Sequence, residues 1–323
     1  MDYPNITVVI PTLNRAKRVI NAIESLKNQT YKGKILCVVV DSSEDTKTEE
    51  LIKKFEYKNT ELEVKYIKNN NSTRAIDNWI LGIEEFNSDY GKFLCDDDWL
   101  HPEYMEKCVN IMERNNVDCV ISNISIVKQD SSITKNYYET VEGKVSKAEV
   151  VDSFLGLKKI LPVTPTASLM KSEILKNSFY ESLKHIECTE KLFGFDFYMS
   201  YFPVFNGMGS YIINESLSFS YAGSDSMTLN VKKAKISYCY FFALINLIET
   251  DNFKVNKKQN EIISHKIATF NIRSTIFKDY RKFNYKNSFK SKLNIKKLLF
   301  SQLKKYFIKL RYSRFIAKPF NKK

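Results

Sequence analysis

Three consecutive carboxylates, Asp96, Asp97 and Asp98, close the apolar run Phe93-Leu94-Cys95 and stand just ahead of Trp99-Leu100-His101-Pro102. Like charges this close raise one another's pKa unless a cation compensates, and a donor set made only of oxygen suits Mg2+ or Mn2+. The same acids would also serve as a solvated turn before a helix opened by Pro102, because Asp is favoured at N-caps and in first turns. A fourth acid, Asp196, is set among Phe193, Phe195 and Phe197. Apolar surroundings raise a carboxyl pKa toward the range of a general base, although a satisfied structural carboxylate would read the same way. Histidine offers little: His101, His185 and His265 are far apart and lack the pairing of a zinc protease. The six cysteines form no Cys-x-x-Cys pair and sit mostly in apolar segments, as reduced thiols do. Acid-base work therefore falls to the carboxylates.

Residues of this kind need elements to hold them, and the first half of the chain alternates strand-like and helix-like segments, the pattern of a parallel sheet covered on both faces. Ile6 to Ile10, Ile35 to Val40, Leu62 to Ile67, Phe93 to Cys95 and Cys119 to Val127 read as strands. Helices are expected through Val19 to Leu26, Leu51 to Phe55, Ala75 to Phe86 and Met105 to Met112. In such sheets functional residues gather beyond the carboxyl ends of the strands, where Asn14, Asp41 and Asp96 to Asp98 all fall. From about residue 160 the pattern loosens: Leu161 to Thr166 reads as a loop, Phe193 to Phe205 as a helix interrupted by Pro203, and 231–280 as mainly helical.

The chain has 323 residues, 43% hydrophobic and 13% aromatic, enough for a real core. No apolar run reaches about 18 residues and no secretory leader pattern is visible at the start, which places the protein in the cytoplasm. Its net charge of +13 is unevenly spread: residues 251–323 hold 21 Lys/Arg against three acids, leaving an acidic body before them. A final basic helix is expected over 289–316, with Ile295, Leu299, Leu303, Tyr306 and Leu310 on one stripe. Such a helix suits an anionic membrane surface, which attracts each nearby Lys or Arg by about 1 kcal/mol. A nucleic-acid partner is not expected, since no nucleic-acid motif accompanies the charge. A helix packed on the rest of the chain through its apolar stripe is the plainer alternative.

With these segments in place, the chain resembles the family 2 glycosyltransferases. The resemblance is carried by Val8-Val9-Ile10-Pro11-Thr12-Leu13-Asn14-Arg15, Val39-Val40-Asp41-Ser42-Ser43, the stretch Asn69 to Asn78 and the acid cluster. It implies a GT-A, Rossmann-like α/β fold with a mixed, mainly parallel sheet and a catalytic domain over 1–228; the turn-rich Ala222 to Ser226 and the change in charge after it set off a basic helical region over 229–323. The resemblance further implies an inverting transferase that moves a sugar from a nucleotide donor, UDP by default, to a hydroxyl of a glycan or lipid-linked acceptor in bacterial surface polysaccharide or glycolipid synthesis. Pro11, Thr12, Asn14, Arg15, Asp41, Arg74 and Asp96 are implied to bind the nucleotide, Asp97 and Asp98 the metal, and Asp196 to act as the general base. Two departures stand out, Cys95 where many members have an aspartate and Phe195 where many have a second acid. They leave room for a catalytically inactive nucleotide- or glycan-binding relative. Asp41 would equally cap the following helix, and Arg74 would equally pair with Asp77.

Overall fold

The computed structural model describes residues 3–56, 61–185, 193–224, 226, 231 and 233–277. The expected helix over 289–316, together with Cys188 and Asp225, lies outside these residues. Two compact units divide the chain, Met1–Lys254 and Val255–Lys323.

The first unit is built on one mixed sheet. Its parallel half comprises β1 (Ile6–Thr12), β2 (Ile35–Asp41), β3 (Leu62–Lys68) and β4 (Tyr90–Phe93), in the order β3-β2-β1-β4. Between β1 and β4 lie α1 (Ala16–Lys27), α2 (Lys47–Lys54) and α3 (Ala75–Ile83). The short β5 (Trp99–Leu100) and then α4 (Tyr104–Asn115) follow the acid cluster and lead to β6 (Cys119–Lys128). Two-residue strands β7 (Ile133–Thr134) and β8 (Gly143–Lys144), helix α5 (Lys147–Leu155), strand β9 (Ser168–Lys171) and helices α6 (Ser172–His185) and α7 (Phe195–Phe205) come next. The long β10 (Ser210–Ala222) and α8 (Lys233–Thr250) complete the unit.

β9 inserts antiparallel between β4 and β6, and β10 then pairs with β6 in parallel. The carboxyl ends of β1, β2, β4, β6 and β10 therefore share one edge of the sheet, and β9 starts from that edge. The strand-end acids meet there for this reason.

Alternation along the strands divides the core. Ile6, Val8 and Ile10 join Cys37, Val39, Val19, Ile23, Met105 and Met112 under α1 and α4. The opposite face carries Phe93, on which Trp79 of α3 stacks at 4.1 Å, with Phe86 and Phe179 around it. Pro11 is accommodated in a central strand because β4 pairs only with Ile6 to Val9, so its missing N–H falls past the end of that ladder.

The strands and helices expected from Ile6 to Val127 are present, with two shifts: β4 is Tyr90–Phe93 and ends where the expected strand Phe93 to Cys95 begins, and α3 stops at Ile83 short of Phe86. The additions are the long β10, the four-residue β9, the two-residue strands β5, β7 and β8, and the helices α5 and α6. Helix α5 carries a full capping box, Ser146 with Glu149. Pro203 is inside α7 rather than an interruption, and the helix continues to Phe205. Proline at this position removes the amide that would reach the Met199 carbonyl, and the two residues after it still complete the last turn.

In the second unit α9 (Lys257–Phe277) opens with a reciprocal cap, in which the Gln259 amide N–H reaches Asn256 Oδ1 and the Asn256 N–H reaches Gln259 Oε1, each at 2.9 Å. With α8 it makes the mainly helical stretch expected there. No helix among the described residues is long and apolar enough to cross a membrane.

Helix α3 lies close on β1 because Gly82 faces Val9: a Cβ at Gly82 would stand 2.3 Å from Val9 Cγ1. Gly82→Ala is expected to lift the helix and lower stability by about 1–3 kcal/mol, read as a lower urea midpoint at unchanged slope.

Candidate active site

The shared edge of the sheet is organised around Thr12, the last residue of β1. Its carbonyl accepts hydrogen bonds from the Asn78 side-chain amide at 2.9 Å and from the Ser42 backbone amide at 3.2 Å. Asn78 also donates to Ser42 Oγ and accepts from the Asn69 side chain. All four residues are buried. The Thr12 hydroxyl donates to Asp96 Oδ2 at 2.7 Å, which ties the end of β1 to the acid cluster beyond β4.

The three acids have different surroundings. Asp96 is buried, takes the Thr12 hydroxyl, and receives Arg15 Nη1 on Oδ1 at 3.0 Å. Burial raises its pKa despite the opposing charge of Arg15. Asp98 is buried on the protein side: Oδ2 accepts from Thr166 Oγ1 at 2.6 Å and Ser220 Oγ at 3.2 Å, and Oδ1 from the Tyr221 amide at 3.0 Å. Burial, helped by the Asp97 charge, pushes its pKa up to about 7 against these donors. Asp97 is the most open of the three, its side chain 15% exposed, with Arg15 Nη1 at 3.2 Å and Arg18 Nη1 at 3.9 Å. Arg18 also lies over the Tyr221 ring, 4.9 Å from its centre.

A divalent cation would find one accessible carboxylate here, that of Asp97. Among the described residues no three His, Cys, Asp or Glu side chains gather into a cage. Magnesium and manganese in nucleotide sites bind through one or two carboxylates plus substrate phosphates, so this donor set fits a cation shared with a diphosphate. Asp98, also expected at the metal, has both oxygens engaged by the protein.

The other expected residues are placed as follows. Asp41 is fully buried; Oδ1 accepts from the Ser43 amide and hydroxyl and Oδ2 from the Tyr66 hydroxyl. Ser43 Oγ in turn accepts from the Asn14 amide at 2.7 Å, so Asp41 sets the loop after β1 as well as its own. Asn14 adopts φ 56°, the left-handed region that Asn tolerates well. Pro11 lies in β1 opposite Val40. Arg74 is exposed and donates Nε and Nη2 to Asp77, each at 2.7 Å.

Asp196 stands in the first turn of α7. It accepts from the Tyr240 hydroxyl at 2.8 Å and the amides of Phe197 and Gly194 at 2.9 and 3.1 Å. Desolvation outweighs these donors and raises its pKa to about 6. Gly194 precedes it with φ 84°, and a Cβ there would be 2.6 Å from the Cys239 carbonyl, so only glycine brings this turn against α8. Phe195 meets Trp79 edge-on at 6.0 Å, fixing the start of α7 against α3.

Sequence reasoning missed Thr166, Asn78, Arg18, Tyr240 and Lys92 as site residues. Lys92 had a signal, a lone cation in an apolar strand. It is buried in β4, donates to the Thr166 carbonyl at 2.5 Å and lies 4.0 Å from the centre of the Tyr104 ring. Thr166 thus joins Lys92 to Asp98. Tyr240 had none, because only the tertiary fold brings α8 to Asp196.

Residues 7–179 match the family described as Glycosyl transferase family 2. The chain belongs to this family and is a glycosyltransferase. It is 26% identical over 270 residues to poly(ribitol-phosphate) beta-N-acetylglucosaminyltransferase TarP of Staphylococcus aureus (strain N315), covering 81% of this chain and 76% of the relative. An uncharacterised glycosyltransferase of Methanocaldococcus jannaschii is 28% identical over 244 residues, 75% of this chain and 79% of that one. Among solved structures, S. aureus TarS 1–349 in complex with UDP-GlcNAc aligns with a TM-score of 0.57 at 15% identity, over 93% of this chain and 79% of TarS 1–349. This last likeness shows the shared GT-A fold.

Burial holds the Lys92 pKa down at about 7, against an ordinary 10.5. Between these values the unfolded chain binds a proton that the folded one lacks, so the cost of burying the charge, full below pH 7, is relieved as pH rises. The stability of wild type relative to Lys92→Met should therefore rise by on the order of 2 kcal/mol between neutral and alkaline pH, measured by urea unfolding.

Proposed function

We propose that this family 2 glycosyltransferase is an inverting, metal-assisted enzyme that moves a sugar from a UDP-sugar to a hydroxyl of a glycan or lipid-linked acceptor. The observation that carries the reading is Asp97: of three adjacent acids it alone is left partly open, beside two arginines, while Asp96 and Asp98 are tied into the protein. A carboxylate and two guanidiniums side by side suit a diphosphate and its cation together. TarS has been crystallised with UDP and with UDP-GlcNAc, and TarP is named as an N-acetylglucosaminyltransferase, which supports a UDP-sugar donor.

On this reading Thr12 and Asp96 form the floor under the nucleotide, with Pro11, Asn14, Asp41 and Arg74 around it. Arg15 and Arg18 take up charge as the diphosphate leaves, in a site where fixed cations act without reorganising. Asp97 would hold a divalent cation, which when bound would supply Lewis-acid stabilisation of the leaving group. Asp98 holds the strand end through Thr166 and Tyr221. Asp196 removes the proton of the attacking acceptor hydroxyl, and its raised pKa suits it to that work. Residues 1–228 carry the transfer chemistry, and the basic region over 229–323 holds the enzyme at the anionic inner face of the cell membrane.

Calorimetric titration with UDP tests the donor site. UDP should bind in the presence of Mn2+ or Mg2+, and Asp97→Ala should abolish the metal dependence; absence of UDP binding to wild type would sink the reading. For the base, Asp196→Asn should lower kcat by about 10²–10⁴ while UDP affinity holds. Because the carboxylate is the active form, the rate should fall as pH drops through about 6. A rate flat across that range would remove Asp196 from the role.

A further inference from the structure

A carboxylate offers four positions at which its two oxygens can accept a hydrogen bond, and at Asp196 the fold fills three of them. Oδ1 takes two, from the amides of Gly194 at 3.1 Å and Phe197 at 2.9 Å. Among the described residues Oδ2 takes one donor, the Tyr240 hydroxyl at 2.8 Å. The residue is partly exposed, so the remaining position on Oδ2 is within reach of a donor from outside the protein. The two oxygens are thus unequal: one is closed by the backbone of its own turn, the other is half open and aligned by a single hydroxyl.

That hydroxyl is held from a distance. Tyr240 lies 44 positions beyond Asp196, in α8, and α8 is pressed against the start of α7 where the Cys239 carbonyl meets Gly194. Cys239, Ala243 and Leu247 bury the same helix, and just past its end Asp251 pairs with Lys147 of α5 at 2.8 Å. The Tyr240 ring lies 6.2 Å from the Phe197 ring, tilted by 36°. Burial and the nearby Asp196 charge push the Tyr240 pKa well above its ordinary 10, so the hydroxyl keeps its proton and donates. Donation favours the ionised carboxyl and works against the burial that raises its pKa. Among the described residues Tyr138 is a second ionisable group that feels the Asp196 charge, and its own hydroxyl donates to the Val163 carbonyl at 3.3 Å. Since the apolar stripe of α8 already holds the helix in place, what the Tyr240 bond adds is direction at the carboxylate.

We propose that Tyr240 is the positioning residue of the general base, fixing the Asp196 carboxylate so that the remaining position on Oδ2 receives the proton of the acceptor hydroxyl. The acceptor oxygen bonds the anomeric carbon, the bond from that carbon to the diphosphate breaks with its electron pair leaving on UDP, and the proton stays on Oδ2. The proposal deepens the sugar-transfer reading and rests on it for the source of that proton. The base lies within residues 1–228, and its positioning residue comes from beyond them.

Carboxyl-carbon NMR of the full chain, labelled in aspartate, reads the pairing without any substrate, the Asp196 signal being the one lost in Asp196→Asn. That signal should titrate near 6 in wild type and about one unit higher in Tyr240→Phe, which keeps the ring and removes the donor. Release of UDP from UDP-GlcNAc and UDP-glucose, with Mg2+ and with water as the acceptor, reads the same group in turnover. Its pH profile should move up with the carboxyl midpoint, making Tyr240→Phe about fivefold slower than wild type at pH 6, while UDP affinity holds. An unmoved midpoint in Tyr240→Phe, with or without a lower melting temperature, would overturn the proposal and leave the bond a structural one. A midpoint that moves while the turnover profile stays in place would overturn it too. A moved midpoint in a protein that releases UDP from neither donor would uphold the pairing and sink the sugar-transfer reading instead.

Discussion

The carbonyl of Thr12 is the point on which the site depends. A strand that ends in mid-sheet leaves its last carbonyl without a ladder partner, and burial makes an unanswered carbonyl costly. Here the answer comes from Asn78 and Ser42, on α3 and at the end of β2. One backbone oxygen thereby fixes the spacing of three elements. The Thr12 side chain passes that fixity to Asp96. Asn78 can do this only because Gly82, one turn further on, lets α3 approach β1 so closely.

Adjacent carboxylates repel, and the fold resolves the conflict by giving each acid different company. Asp98 is turned inward onto two hydroxyls and an amide, Asp96 shares Thr12 and Arg15, and Asp97 keeps an open side toward the two arginines. Charge in the cluster is therefore balanced by Arg15 in the loop after β1 and by Arg18 in the first turn of α1. Below the cluster the buried Lys92 amine holds the Thr166 carbonyl and also feels the Asp98 charge, which opposes the lowering of its pKa by burial.

Much of the parallel half was legible in the sequence because its strands are continuous apolar runs and its helices keep a clean periodicity. The strand-end position of Asn14, Asp41 and Asp96 to Asp98 followed from that. β9 was not legible: four residues, Ser168 to Lys171, are too few for an alternation to register, and they follow a proline-rich loop. Helix α5 had a readable start in Ser146 and Glu149, but its partly apolar surface blurs the periodicity that marked the earlier helices. Within the acid cluster the sequence supplied the residue types and not their directions. Which of three neighbours faces outward depends on Thr166, Ser220 and Tyr221, between 68 and 123 positions further along the chain.

The residues that match the family end at 179, and both Asp196 and the Tyr240 hydroxyl that it accepts from lie beyond that point. The acid cluster, with Thr12 and the arginines, lies entirely before it. The two ends of the proposed chemistry thus occupy successive stretches of chain, joined through packing such as Phe195 on Trp79. The division has a limit: Ser220 and Tyr221, which hold Asp98, and the Tyr221 ring under Arg18 also belong to the later stretch, so drift there that retunes proton transfer is felt at the acid cluster as well.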